Sequence, residues 1–538
     1  MRKISFLVGI LAAFASCTVK EEVDVIYKNG NVYTVNDNFD KVQDFAVKDG
    51  KFIAVGGDIS ANYKATKVVD LKGKSVYPGF IDAHCHFYGL GLQLQKVDLV
   101  GTKSFQEVLD RIVAFQKKKN VPFITGRGWD QTKWEVKEFP TKEKLDSLFP
   151  NTPVAVRRID GHAVLANQKA LDLADITVKT KVDGGEVILK DGKPTGVLID
   201  NAMDLVLAKV PEPTKREKIQ ALIDAEKICT DLGLTTVDDA GLDKEVIELI
   251  DSLQKAGTLH MKVYAMASAT KENLNFYLKN GKVKTPKLNV RSFKYYADGA
   301  LGSRGAALKE SYSDKHNHFG TLLSSVEDFE STAKRIANSD FQMNTHAIGD
   351  SANYVVLKTY TDILGNKAKE RRWRVEHAQV VSKVDLEFYK NIFPSVQPTH
   401  ATSDMYWAEK RLGEERVKEA YAYKELLDAY GKIALGTDFP IERVSPFLTF
   451  YAATARKDLE NFPENGFQTE NALTREETLK GMTIWAAYSN FEENEKGSIE
   501  IGKSADFIIL NQDIMTVEET KIPETKVEKT YIDGILLK

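Results

Sequence analysis

Apolar and polar positions alternate with a short period at both ends of the chain and with longer, mixed periods through its middle. Residues 23–27 alternate loosely, Lys28-Asn29-Gly30 turns, and 31–35 continues the pattern. Asp49-Gly50 is a hairpin turn leading into the run 51–55. The other end repeats the theme, with an apolar strand over 504–510 and another over 529–538 that turns at Asp533-Gly534. Two β-rich ends around a long αβ middle predict one small β-sandwich built from 23–75 and 496–538.

Through the middle, strand-like and helix-like segments take turns, as they do in a parallel (β/α)8 barrel. Eight strands are expected, over 75–81, 235–239, 261–266, 291–297, 341–345, 373–376, 393–397 and 432–436. Helix-spaced runs such as 214–232 read as the barrel's outer helices. More than a hundred residues separate the first two strands, far more than one crossover helix needs. The fold class is therefore α/β: a TIM barrel over 76–100 and 215–495, with an inserted α/β subdomain over 101–214.

The first residues follow a different pattern. Arg2 and Lys3 precede an apolar run over 4–14, which ends at Ala15-Ser16-Cys17. A basic start, an apolar stretch too short to span a bilayer and small residues at its end describe a secretory signal. The Cys after Ala-Ser resembles the lipobox of bacterial lipoproteins, although Phe14 stands where Leu is usual. That resemblance implies a signal peptide over 1–16, lipidation of Cys17, a tether over 17–22 and a body held at the cell envelope, periplasmic or on the outer membrane. The only membrane contact expected is the lipid anchor. With 43% hydrophobic and 28% charged residues, the rest is ordinary for a globular protein. A formal charge of -3, with basic residues spread out, offers no footprint for nucleic acid. Three Cys do not make a disulfide framework, and Cys85 reads as a packing residue facing the helix layer.

The chemistry concentrates at strand ends. In the stretch 77–86, His84 and His86 share one strand face, with Asp82 on the same side. An HxH pair alone is weak, but three more expected strands finish in Asn344-Thr345-His346, Val375-Glu376-His377 and Gly436-Thr437-Asp438. Strand C-termini converge at the mouth of such a barrel, so these groups should meet. Lys294 shares a face with Ser292, Tyr296 and Asp298. An inward ammonium there would be costly unless paired or neutralised, for instance as a CO₂-derived carbamate able to bridge metals.

With these residues in view, the chain resembles the amidohydrolase superfamily, nearest to its amidohydrolase-3 group with N-substituted formamide deformylase-like enzymes. The resemblance is carried by Pro-Gly-Phe-Ile-Asp-Ala-His-Cys-His (78–86), the stretch 294–304, His-Ala-Ile-Gly-Asp (346–350), Glu-His-Ala-Gln (376–379), Gln-Pro-Thr-His (397–400) and Gly-Thr-Asp-Phe-Pro (436–440). It implies that His84, His86 and Asp438 hold one divalent metal. His346 and His377 would hold a second, bridged by carboxylated Lys294. One or two zinc ions are the default, with iron, manganese or nickel also compatible. It further implies a metal-activated hydroxide, with Asp438 as general base and then acid, acting on a small-molecule amide, formamide, N-acyl or cyclic amide. An esterase or dipeptidase on the same site, and a non-catalytic tethered binder, remain open, as does homo-oligomerisation.

Other residues carry softer expectations. His162 in the insertion reads as substrate-binding or as a structural histidine, and Arg304 as a substrate carboxylate partner or a loop fastener. His400 is expected near the pocket but outside the metal ligands. His316 and His318 read as loop histidines, and His260 as lying at the far end of the barrel. Trp129 and Trp134 are candidates for a lid or for packing the insertion.

Overall fold

The computed structural model describes residues 20–538; the expected signal peptide and Cys17 lie outside the described residues. The middle of the chain forms a nearly closed eight-stranded parallel barrel. Its strands are β1 (Phe80–Cys85), β2 (Leu234–Leu242), β3 (Lys262–Ser268), β4 (Leu288–Tyr296), β5 (Gln342–Ala347), β6 (Arg374–His377), β7 (Phe393–Val396) and β8 (Ala434–Leu435). Neighbours pair in this order from β1 to β8. Beyond the short β8, the chain closes on β1 through two backbone bonds, Asp438 N–H to the His84 carbonyl and His86 N–H to the Phe439 carbonyl, both 2.8 Å. Gly436 makes this seam possible: a Cβ there would lie 2.5 Å from the His84 nitrogen.

The first expected strand, 75–81, is in fact two. Ser75–Pro78 pairs antiparallel with Phe507–Leu510 in the sandwich, and only Phe80–Cys85 enters the barrel. Continuous apolar character across 75–81 concealed the break, which falls at Gly79; a Cβ there would strike Thr235. The sandwich has a four-stranded sheet from residues 21–70 and a six-stranded sheet that mixes 31–78 with 507–536. Its core draws on both ends of the chain, with Tyr27 stacked on Phe45 at 4.7 Å and Phe507 stacked on Tyr531 at 4.3 Å. Beneath the barrel, the buried Lys262 at the start of β3 reaches Asp506 at 2.8 Å and Asp533 at 2.6 Å, tying the two units together.

The insertion has its own six-stranded sheet, and that sheet begins with Val97–Asp98, earlier than the expected start at 101. One face packs Val108, Leu109, Ile112, Trp129 and Trp134; the other packs Ala155, Val164, Leu171 and Val206. Both tryptophans are buried there, with Trp129 Nε1 donating to the Val156 carbonyl and Trp134 Nε1 to that of Thr102, so they pack the insertion and form no lid. The chain re-enters the barrel through the helix Lys215–Asp231, where Thr214 and Glu217 form a reciprocal capping box. Cys85 is fully buried in the apolar core alongside Phe80, Leu222 and Cys229.

Candidate metal centre

Six of the groups anticipated at the strand ends meet at the C-terminal mouth of the barrel. His84 and His86, at and just beyond the end of β1, point toward Asp438 beyond β8, with His86 Nε2 3.2 Å and His84 Nε2 3.8 Å from Asp438 Oδ1. The His377 ring centroid lies 4.7 Å from that of His84 and 4.5 Å from that of His346. Lys294, almost wholly buried in β4, places Nζ 3.0 Å from His84 Nε2.

Two of these side chains reach the site through unusual backbone. Glu376 and His377 are consecutive, and a regular strand would send them to opposite faces. Both nevertheless approach His84, because His377 adopts φ +73° and swings back inward. Asp438 likewise has φ +61°. Left-handed backbone at residues other than Gly costs on the order of 1 kcal/mol or more and persists where the surroundings enforce it. At β8 the enforcing group is Asp82, whose carboxylate accepts from Thr437 N–H at 3.0 Å and Thr437 Oγ1 at 2.7 Å. Asp82 thus fastens the seam. Asp239 within β2 accepts from Phe87 and Tyr88 N–H, anchoring the helix that follows His86.

Hydrogen bonds at the far ring nitrogens decide which histidines present a lone pair. His84 Nδ1 donates to Glu376 Oε2 at 2.6 Å, which leaves Nε2 free to ligate. His377 Nδ1 donates to Gln397 Oε1 at 2.7 Å with the same consequence. His400 is arranged the other way. Gln379 Nε2 donates to its Nδ1 at 3.0 Å, so Nε2 carries the hydrogen and faces Asp438 Oδ2 at 3.6 Å. The ligand-type atoms of His84, His86 and Asp438 lie within 4.8 Å of one another, as do those of His377, His400 and Asp438. The His84 tautomer suits the first trio as a metal cradle, whereas the His400 tautomer gives that ring the part of a donor.

The electrostatics suit a cation. Burial, with the nearby Lys294 charge, lowers His84 to about 4 and His346 to about 3, so both imidazoles are neutral at physiological pH, the form that can ligate a metal. Burial also pushes His377 far down. Burial lowers Lys294 to about 8, against the pull of Glu376 and Asp438. For Asp438 burial works the other way, but the His86 hydrogen bond and the surrounding imidazoles outweigh it and hold the carboxyl well below its ordinary range. His346 Nε2 is buried without a hydrogen-bond partner, and Asp438 Oδ1 has only His86 Nε2 beside it, at 3.2 Å. Buried polar atoms are seldom left unpaired, and a buried carboxylate ringed by imidazoles fits a divalent ion.

The remaining candidates lie elsewhere or have other partners. His346 stands outside both compact trios, with Nε2 3.6 Å from Asp298 Oδ1. Asp298 in turn accepts from the N–H groups of Ala307, Ile348 and Gly349, holding the loops after β4 and β5 together. Arg304 is engaged bidentately by Asp314 at 2.9 and 2.8 Å, which favours the loop-fastener reading. His162 is largely exposed in the insertion and paired with Asp200 at 2.7 Å. His318 Nε2 bonds the Arg304 carbonyl in its loop. Glu376, Gln379 and Gln397 were not foreseen as orienting groups. Their one visible trace was position, since each stands one to three residues from a histidine of the site.

A family match covers residues 67–537, under the description "Amidohydrolase family". The chain belongs to the amidohydrolase family. Protein LONG AFTER FAR-RED 3 of Arabidopsis thaliana is 31% identical over 533 residues, covering 95% of this chain and 91% of that protein. N-substituted formamide deformylase of Arthrobacter pascens is 26% identical over 542 residues, covering 95% and 98%. Among solved structures, an uncharacterized metal-dependent hydrolase from Pyrococcus horikoshii OT3 superposes with a TM-score of 0.77 at 29% identity, covering 92% of this chain and 99% of that one. This amidohydrolase is thus a hydrolase with a TIM barrel whose His and Asp groups can bind a metal.

Proposed function

We propose that the protein hydrolyses a carbon–nitrogen bond outside the peptide backbone, in an amide, formamide, N-acyl or cyclic amide. The observation that carries this reading is the convergence of the His84 and His86 imidazoles on one oxygen of Asp438, a buried carboxylate. Resemblance to a relative named N-substituted formamide deformylase supports the bond type.

His84, His86 and Asp438 would hold one zinc ion; His346 and His377 would hold a second, with Lys294 as a carbamate between them. A metal held there supplies Lewis-acid activation of the carbonyl and of the attacking water. Asp438 Oδ2, facing away from His86, takes the proton from water and hands it to the departing nitrogen. His400, with hydrogen on Nε2, is placed to donate to the substrate carbonyl oxygen from beside Asp438. Glu376 and Gln397 hold two ligating rings in the required tautomer. The chain is further proposed to be exported and anchored at the cell envelope through lipidated Cys17. Among the described residues no helix is long and apolar enough to cross a membrane.

Metal analysis of the purified protein, combined with a broad panel of amides, formamides, cyclic amides and esters, tests the reading. Stoichiometric bound metal with turnover of C–N substrates is expected. Turnover of esters alone, or a metal-free protein that turns over as fast as the metal-loaded one, would overturn it.

A further inference from the structure

A cleft of about 840 Å³ runs between the insertion and the mouth of the barrel. Its barrel side is formed by Gly89 and by Pro440 and Ile441. Gly89 packs directly on His86, so closely that a Cβ there would lie 3.1 Å from the His86 Cβ. Pro440 is two residues beyond Asp438. The cleft therefore borders the segments that carry His86 and Asp438, without being lined by either, and its size is that of a small-molecule site.

The opposite wall is formed by the last three strands of the insertion sheet, Val97–Asp98, Ile124–Trp129 and Val154–Arg158, and its charge is unbalanced. Arg127 and Arg157 are lateral partners on adjacent parallel strands, and Asp98 is the lateral partner of Arg127 on the next. Lys96 completes the charged lining. Three cations thus face one carboxylate, and Asp98 also accepts from the Val100 N–H at 3.0 Å. Arg127 uses Nη2 on the Ile159 carbonyl at 2.9 Å. Among the described residues Arg157 has no carboxylate or hydrogen-bond partner for its guanidinium. Its neighbour Arg158 shows the contrast, being bound by Asp130 at 2.8 Å and by Asp160.

Side-by-side like charges on neighbouring strands are destabilising, and an unpaired guanidinium fork is shaped to take a carboxylate through two hydrogen bonds. Leu92, Val97, Leu207 and Val210 supply apolar surface in the same cleft. Resting on the amide-hydrolase reading, we propose that this cleft binds substrates bearing a carboxylate on an apolar body. Arg157, assisted by Arg127, takes the carboxylate while the scissile amide lies at Asp438. N-acylated apolar amino acids have this chemistry: water adds across the C–N bond, releasing an acid and an amino acid whose carboxylate stays at the arginines.

The test uses the metal-loaded protein and two matched substrates, N-formyl-leucine and its neutral analogue N-formyl-leucinamide. Both guanidiniums are exposed in the free protein, and a bidentate charge pair made with them is worth about fivefold in affinity, so kcat/KM should favour the acid by about that factor, chiefly through KM. In the Arg157→Met and Arg127→Met/Arg157→Met variants the preference should shrink to about twofold or less, by the same relation. Equal use of both substrates by the wild type, or a preference that survives in the double variant, overturns the proposal.

Calorimetric titration with 4-methylpentanoate and 4-methylpentanol reads the cleft without turnover. Tighter binding of the acid by wild type but not by the double variant supports the proposal, and equal binding of both by the wild type overturns it. If neither formyl compound is hydrolysed while the acid still binds selectively through the arginines, the amide-hydrolase reading fails and the anion site stands.

Discussion

The Glu376 carboxylate lies 2.6 Å from His84 Nδ1, and both side chains are completely buried. This contact fixes the ring and its tautomer, and a carboxylate there makes the ligating nitrogen a stronger donor. Arg374, also fully buried, stands 3.9 Å from the same carboxylate and binds Asp238 at 3.0 Å, which anchors the arrangement in the barrel interior. Glu376→Gln should keep the fold and lower metal affinity by about 10- to 100-fold. Competition with a chromophoric chelator measures this, and wild-type affinity in the variant would remove Glu376 from the site's support.

Asp438→Asn keeps the size of the side chain but removes its charge and its basicity. Loss of a positioned general base costs about 10²- to 10⁴-fold in rate. The purified variant should therefore show wild-type circular dichroism and a kcat reduced by at least that much. Near-normal turnover would show that another group accepts the proton.

Chelation should abolish activity, and added zinc should restore it. If Lys294 is a carbamate in the loaded protein, metal uptake by the apoprotein should rise with bicarbonate, because neutral lysine must first react with CO₂. Uptake that reaches two ions per chain without bicarbonate would exclude that role for Lys294.

Lys262 joins the barrel to Asp506 and Asp533. Replacement by Met leaves two carboxylates without their buried partner, a loss of about 3–5 kcal/mol. The midpoint of chemical denaturation should fall accordingly; an unchanged midpoint would mean the two units hold together without this link. Burial would lower the Lys262 pKa, but Asp506 and Asp533 outweigh it and raise it above 10.5. A group raised on folding contributes its full stability below its unfolded pKa and loses it as pH rises through the folded one. The wild-type midpoint should therefore be insensitive to this ion pair at neutral pH and decline only above about pH 10.5.

At the seam, Gly436→Ala would press a methyl group against the His84 nitrogen and carbonyl and against Asp82. Overpacking of this kind costs about 1–3 kcal/mol, and here it also moves a ligand-bearing strand. The variant should be both less stable and poorer in bound metal. A variant with unchanged metal content and denaturation midpoint would show that the seam relaxes freely.

Periodicity was enough to reveal the parallel barrel, because each strand end is a local event: an apolar run that stops at a ligand-type residue. His84, His86, His377 and Asp438 could be found for that reason, each standing at or just past its run. Whether Arg304 faced a substrate or a loop was not legible, since its partner Asp314 is one of many acidic residues along the chain. Nor was the break at Gly79, because apolar residues continue across it and only the pairing of Ser75–Pro78 with Asn31–Tyr33 and with the distant Phe507–Leu510 separates sandwich from barrel. The tautomers of His84, His377 and His400 lay furthest from view. They depend on Glu376, Gln397 and Gln379, which reach those rings through barrel packing and, at His377, through a backbone turned against strand alternation. Sequence spacing states which groups a strand can offer. Which nitrogen keeps its lone pair is settled only when distant strands bring their hydrogen bonds together.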